Sequence, residues 1–217
     1  MASIPLFPLG NAVFPAGVLR LRIFEVRYLS LIERCIAEGT PFGVVPLLAG
    51  SEVRKPEGGE VLAQAGTLVR VEERTTPMPG LMQITCSATQ RFLLRDSEQG
   101  QYGLWHGTAD LLDDDPVLPV PQRLQSCANA LGALIAQLQK SGTPAHLMPL
   151  VPPFRLDECG WVADRWTELL PLPIEEKAAL LLSTDPLHRL ALIHNALGDR
   201  QLLPPDDAQD DPLRPDN

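Results

Sequence analysis

Lysine is nearly missing from this chain: the 217 residues hold Lys55, Lys140 and Lys177 and no others. With a net charge of −9 and a pI near 4.9, the balance opposes binding to a phosphate backbone, which needs clustered cations. A Ser-Lys dyad also has little to work with. Lys55 sits in a Gly-rich stretch, and Lys140 and Lys177 fall at helix positions with exposed patterning, where nothing lowers an amine toward a base. No C-x-x-C pair occurs. Cys35, Cys86, Cys127 and Cys159 are far apart in apolar-patterned segments, the setting of buried free thiols in a reducing compartment. His106, His146, His188 and His194 have no metal-ligand spacing, and no metal or other cofactor is expected. The patterns for a P-loop, a G-x-S-x-G elbow and H-E-x-x-H are all absent. No apolar run is long enough for a membrane span, and the N-terminal run is broken by Pro5, Pro8, Gly10 and Pro15 without a basic segment before it. These features lead us to expect a cytoplasmic protein that is not an enzyme and has no membrane partner.

What is abundant is proline, at 22 residues, alongside 45% apolar content. Together they predict a packed core built from short elements with many turns. The composition changes at "LLDDDPVLPVP", and we place a boundary at about residue 117. The Asp113–Asp115 run there reads as a solvated linker. The region 1–117 is predicted to be β-rich, 118–200 helical, and 201–217 an acidic disordered tail.

In the first region "SIPLFPL", "GVLRLRIF", "FGVVPLL", "AGTLVRVEERTT", "LMQITCSATQRFLLRD" and "YGLWHGTADLL" read as strands. Leu19, Leu21 and Ile23 alternate with Arg20 and Arg22, the period of a half-buried strand. "GSEVRKPEGGEV" reads as a mobile loop and "PMPG" as a turn. Between the second and third strands, Phe24, Tyr28, Leu31, Ile32, Cys35 and Ile36 fall on one helical stripe, closed by Gly39. The fold class expected is α+β, a compact β-barrel with one packed helix, followed by a helical region. Four helices are predicted in that second region. The first shows Leu124, Cys127, Leu131, Leu134, Ile135 and Leu138 on one face and ends at Gly142. The second starts from Asp157 as N-cap, and the third has Pro173 in its first turn. The fourth has Asp185 as N-cap, Pro186 first and Gly198 after its end.

The segment "IFEVRY" places Glu25 and Arg27 inside an apolar stretch at the start of the first helix. Glu25 falls where its carboxylate meets unpaired helix N–H groups. Arg27 can offer its planar fork to carboxylates or loop carbonyls, and Tyr28 buries its ring while its hydroxyl seeks a partner. With no second acid, nucleophile or metal motif beside them, the pair reads as a structural clamp.

These residues carry a resemblance. "IPLFPLGNAVFPAGVLRLRIFEVRYLSLIERCIAEGTPFGVV" resembles the opening of the N-terminal substrate-binding domain of Lon proteases, through Pro5, Leu6, Phe7, Pro8, Leu9, Phe14, Pro15, Gly17, Ile23, Phe24, Glu25, Arg27, Tyr28 and Gly43. Gly66 and Thr67, Arg91 and Phe92, and Arg189 and Leu190 match later segments of the same family. Val26 replaces the family's usual proline, and Ala88 stands for a usual glycine. The ATPase and Ser-Lys peptidase domains have no counterpart in the sequence. The resemblance implies a PUA-like pseudo-barrel followed by a C-terminal helical bundle. It also implies a non-catalytic module for unfolded or apolar-rich polypeptides, with an adaptor role beside a separate protease or chaperone as an extension. Phe7, Phe14, Met78 and Met82 are the candidate lining residues for such a polypeptide. Two alternatives stand beside it: a PUA-like RNA-binding protein using Arg20, Arg22 and Arg27, or a small-molecule-binding domain.

Overall fold

The computed structural model describes residues 2–52 and 59–203. Most of the loop expected at 50–61, Lys55 included, and the tail from residue 204 lie outside the described residues. Seven strands and an early helix come first: β1 (Ala2–Leu9), β2 (Val18–Ile23), α1 (Val26–Glu38), β3 (Phe42–Ala49), β4 (Val61–Leu62), β5 (Ala65–Met78), β6 (Leu81–Gln99) and β7 (Trp105–Leu111). Four helices follow: α2 (Gln125–Lys140), α3 (Cys159–Leu169), α4 (Ile174–Leu182) and α5 (Pro186–Asp199). The architecture is mixed, with a sheet-rich N-terminal part and several helices after it. No described helix is long and apolar enough to cross a membrane.

The strand pairings run from β1 through β7, β6, β5 and β3, and β3 returns to pair with β1 in parallel. β2 lies outside this circuit on β6, with Arg20 opposite Thr85 and Arg22 opposite Gln83. The long hairpin of β5 and β6 turns at Pro79 and Gly80, where the glycine takes φ +79. Only a residue free of a Cβ penalty adopts that conformation cheaply, so "PMPG" closes the turn.

Three apolar clusters hold the molecule. One lies under α1, where Tyr28, Leu31, Ile32 and Cys35 meet Phe7, Phe42, Ile84 and Cys86. Gly39 ends α1 in the left-handed region, φ 64, its N–H reaching the last carbonyls. Two members of the expected stripe are not in the core: Phe24 and Ile36 are exposed. Phe24 precedes the helix, so helical spacing does not govern its direction. The second cluster is formed by Leu6, Val45, Phe92, Leu94 and their neighbours inside the strand circuit, with Ala178 of α4 against them. The third joins Phe14 and Ala65 to Leu131, Ile135, Trp161, Val162, Trp166, Leu190 and Ile193, so helices and sheet share apolar surface. Trp166 donates its indole N–H to the Cys127 carbonyl at 3.0 Å, tying α3 to α2. All four cysteines are free and buried.

The helix ends differ from expectation in three places. Glu158, not Asp157, is the N-cap of α3. The Asp157 carbonyl accepts from Val120 and the Cys159 N–H donates to Leu118, which keeps the chain extended through residue 158. Pro173 stands just before α4, giving its carbonyl to the Lys177 N–H. Gly198 lies inside α5, which runs on to Asp199. Asp185 caps α5 as expected from its sequence, accepting from Leu187 and His188 with Pro186 in the first turn.

Candidate functional site: an apolar cleft at the start of the first helix

A cavity of about 1000 Å³ opens between the N-terminal turn of α1 and the connection from β6 to β7. Phe24, Val26, Tyr102 and Leu104 supply its apolar surface, and Ser30, Arg34, Gln101 and His106 its polar edge. Three of these are large side chains turned to solvent: Phe24 is 57% exposed, Val26 77% and Tyr102 82%. Tyr102 stands in a short 3₁₀ turn with φ 60, a conformation uncommon for a bulky residue, which turns the chain there.

Glu25 and Arg27 form the floor's polar fastening. Arg27 Nε donates to Glu25 Oε2 at 3.0 Å, and Nη1 donates to the Gly103 carbonyl at 2.6 Å. The guanidinium carbon lies 4.5 Å from the centre of the Tyr28 ring, and that ring stacks against Phe7 at 4.2 Å. Burial pushes the Tyr28 hydroxyl up to about 12, against the opposing pull of Arg27. Glu25 is the N-cap position of α1, yet its carboxylate caps no helix N–H; its carbonyl receives the Tyr28 and Leu29 N–H groups instead. The guanidinium, a charged partner, takes the carboxylate in place of neutral amides.

The other sequence candidates are distributed differently. Phe7, Phe14 and Met82 are buried core residues, so they line no open groove. Each sits on the inward side of its segment: Phe7 under α1, Phe14 among the helices, Met82 opposite Ile23. Met78 is exposed at the hairpin tip, apart from the cleft. Phe92 is fully buried inside the strand circuit. Arg91 is also buried, donating to the carbonyls of Leu181 and Ser183 and to Asp115 at 2.5 Å. Arg27 is buried too, so it joins no surface patch with Arg20 and Arg22.

Two expectations about charge are corrected. Asp115 is not a solvated linker residue: Arg91 and Arg189 converge on its two oxygens, and Arg189 also pairs with Asp164 at 2.9 Å. Lys177 is buried, its amine held by Asn11 at 2.9 Å and by the Glu168 carbonyl at 3.3 Å, and desolvation lowers its pKa. Lys177 is buried beside Ala178, Leu180 and Leu181, and its amine finds its polar partners in Asn11 and Glu168, which lie on other segments and leave no mark in the pattern of α4. The Glu168 carboxylate accepts the Phe14 N–H at 2.8 Å and faces Arg165 at 3.1 Å.

Fold and cleft together give an open trough with a fixed floor on a strand-and-helix frame. The chain belongs to the family of the ATP-dependent protease La (Lon) substrate-binding domain, whose family model matches residues 3–199. Among solved structures it is similar to a Lon N-terminal domain protein from Xanthomonas campestris, at 29% identity and TM-score 0.70, covering 89% of this chain and 97% of that one. The N-terminal domain of a Mycobacterium avium complex Lon protease shares the fold, at 14% identity and TM-score 0.59, covering 91% and 99%. A search of curated proteins finds no match.

Proposed function

We propose that this chain is a non-catalytic module that binds exposed apolar segments of polypeptides in the cleft beside α1. The observation that carries this reading is the grouping of Phe24, Val26 and Tyr102, all strongly exposed, around one cavity of about 1000 Å³ in a member of the Lon substrate-binding family. Large apolar side chains held in water at one place mark an interaction surface. The polar edge of Ser30, Gln101 and His106 offers hydrogen bonds to the backbone of an extended client.

The closed circuit of strand pairings supports a PUA-like pseudo-barrel for residues 1–117, and the shared apolar cluster of α2, α3 and α5 supports a helical bundle over 118–200. Delivery of clients to a separate protease or chaperone in the cytoplasm is the role that a substrate-binding domain would serve in this form.

The test is titration of a fluorescent, permanently unfolded protein with the native chain and with the Phe24→Ser, Val26→Ser double variant. Micromolar affinity, about −8 kcal/mol, is expected for contacts of this extent. Loss of the two side chains should weaken it by about tenfold, a typical cost for removing interface anchors. Equal affinity of the two proteins would remove the cleft as the binding site.

A further inference from the structure

A second groove lies on the outer face of the three strands β2, β6 and β5. It is about 480 Å³, and Arg20, Arg22 and His146 line it, with Glu73 as the acidic side chain of the same face. Two arginines against one carboxylate make this face positive on a chain whose net charge is −9, while Arg74, paired with Ile84, belongs to the other face of the sheet. The arginines are not neutralised within the molecule. Arg22 is exposed and makes no hydrogen bond or ion pair among the described residues. Arg20 donates to the Met148 carbonyl at 2.9 Å and to the Ala145 carbonyl at 3.4 Å, neutral partners that orient the guanidinium and leave its charge in place.

The strand register adds a spacing. Arg20 and Arg22 are alternate residues of β2, and the residues facing them across the sheet are polar: Thr85 and Glu73 in one row, Gln83 and Thr75 in the next. Alternate residues of a strand point to the same face and stand roughly 6.8 Å apart. An extended polypeptide with acidic side chains at every second position repeats that distance, so two of its carboxylates meet two guanidiniums at once. Thr75, Gln83 and Thr85 then present donors and acceptors to its backbone. No Phe, Tyr or Trp lines the groove, so it offers none of the large ring platforms on which single-stranded bases stack.

We infer that this groove docks an extended acidic segment of a partner polypeptide, with carboxylates at alternate positions, at a surface separate from the apolar cleft.

The experiment uses the full chain and a fluorescein-labelled peptide of alternating aspartate and serine, followed by anisotropy. The same peptide with asparagine for aspartate and an oligo-uridine RNA serve as comparisons. The aspartate peptide is expected to bind and the asparagine peptide not to, with affinity falling as ionic strength rises from about 50 to about 200 mM, because exposed charges are screened over about a Debye length. The Arg22→Glu variant is expected to bind at least about tenfold more weakly, since a like charge now faces the carboxylates. The position is exposed, and an unchanged melting temperature verifies that the variant folds. The Phe24→Ser, Val26→Ser variant should bind the acidic peptide as the native chain does, which separates this groove from the cleft. The inference is overturned by no binding of the aspartate peptide, by unchanged affinity in the arginine variant, or by tighter binding of the RNA.

Discussion

The ring of Phe92 in β6 occupies the space that a side chain on Gly66, its direct partner in β5, would need. The ring is fully buried, with Gly43 giving it room from β3 in the same way, so it has no free direction in which to retreat. We therefore expect Gly66→Ala to destabilise the protein by about 1–3 kcal/mol, the usual cost of overpacking a core. A urea unfolding midpoint equal to that of the native chain would show that the site relaxes instead.

Asp115 gives a second stability test. Its two oxygens hold Arg91 from the sheet and Arg189 from α5, and both guanidiniums are buried. The Ser183 carbonyl accepts from both arginines as well, so one short segment fastens β6 to the end of α4 and the start of α5. Asp115→Ala leaves two buried cations short of a counter-charge, and breaking a buried pair costs about 3–5 kcal/mol. Differential scanning calorimetry should show a melting temperature well below native. A change within error would mean that Asp164 and carbonyls suffice for Arg189.

The elements were legible wherever local physics decides them. The alternation of Leu19, Leu21 and Ile23 marks β2, and the Asp185-Pro186 pair marks the start of α5. The family emerged from the residues around Glu25 and Arg27, though not the exact use of Glu25. The cleft was harder to see. Phe24 has the right spacing for a buried helical stripe, but helical periodicity has no meaning two residues before the helix begins at Val26. Tyr102 lies seventy-odd residues away and reaches the cleft through a backbone turn with positive φ that no apolar pattern announces. Asp115 and Lys177 looked solvated because charge predicts exposure on average, and only tertiary partners distant in sequence override it.

The buried acids make stability depend on pH. Asp164 is pushed up to about 6 and Glu168 to about 7, chiefly by desolvation, with Arg189 and Arg165 pulling Asp164 down and Arg165, the Phe14 N–H and Lys177 pulling Glu168 down. An acid whose pKa is higher folded than unfolded holds its proton more tightly in the native state. Its contribution is full below the unfolded value of about 4 and is lost as pH rises through the folded value. Asp164→Asn removes one such titration. The melting temperature of this variant minus that of the native chain should therefore increase from pH 5 to pH 8. A difference that stays flat or decreases would show that the pairing with Arg189 outweighs burial.

Arg27 links stability to recognition. Its guanidinium joins Glu25 at the entry to α1 with the Gly103 carbonyl beside Tyr102, so a single side chain holds both walls of the cleft. Arg27→Met keeps much of the apolar stem over the Tyr28 ring but removes the fork. The Gly103 carbonyl and the Glu25 carboxylate each lose a charged donor, worth about 1.5–3 kcal/mol for such a bond. Because Gly103 follows the turn that carries Tyr102, loosening this bond should also let that wall drift. We expect Arg27→Met to lower affinity for an unfolded polypeptide and, in hydrogen exchange, to speed the amides around residues 101–104 more than those of β5. Arg27→Lys should rescue the charge without the two-directional fork, and so restore stability more than binding. If Arg27→Met weakens global stability yet leaves polypeptide affinity and exchange at 101–104 unchanged, the pair serves the fold alone and the cleft wall is held by other contacts.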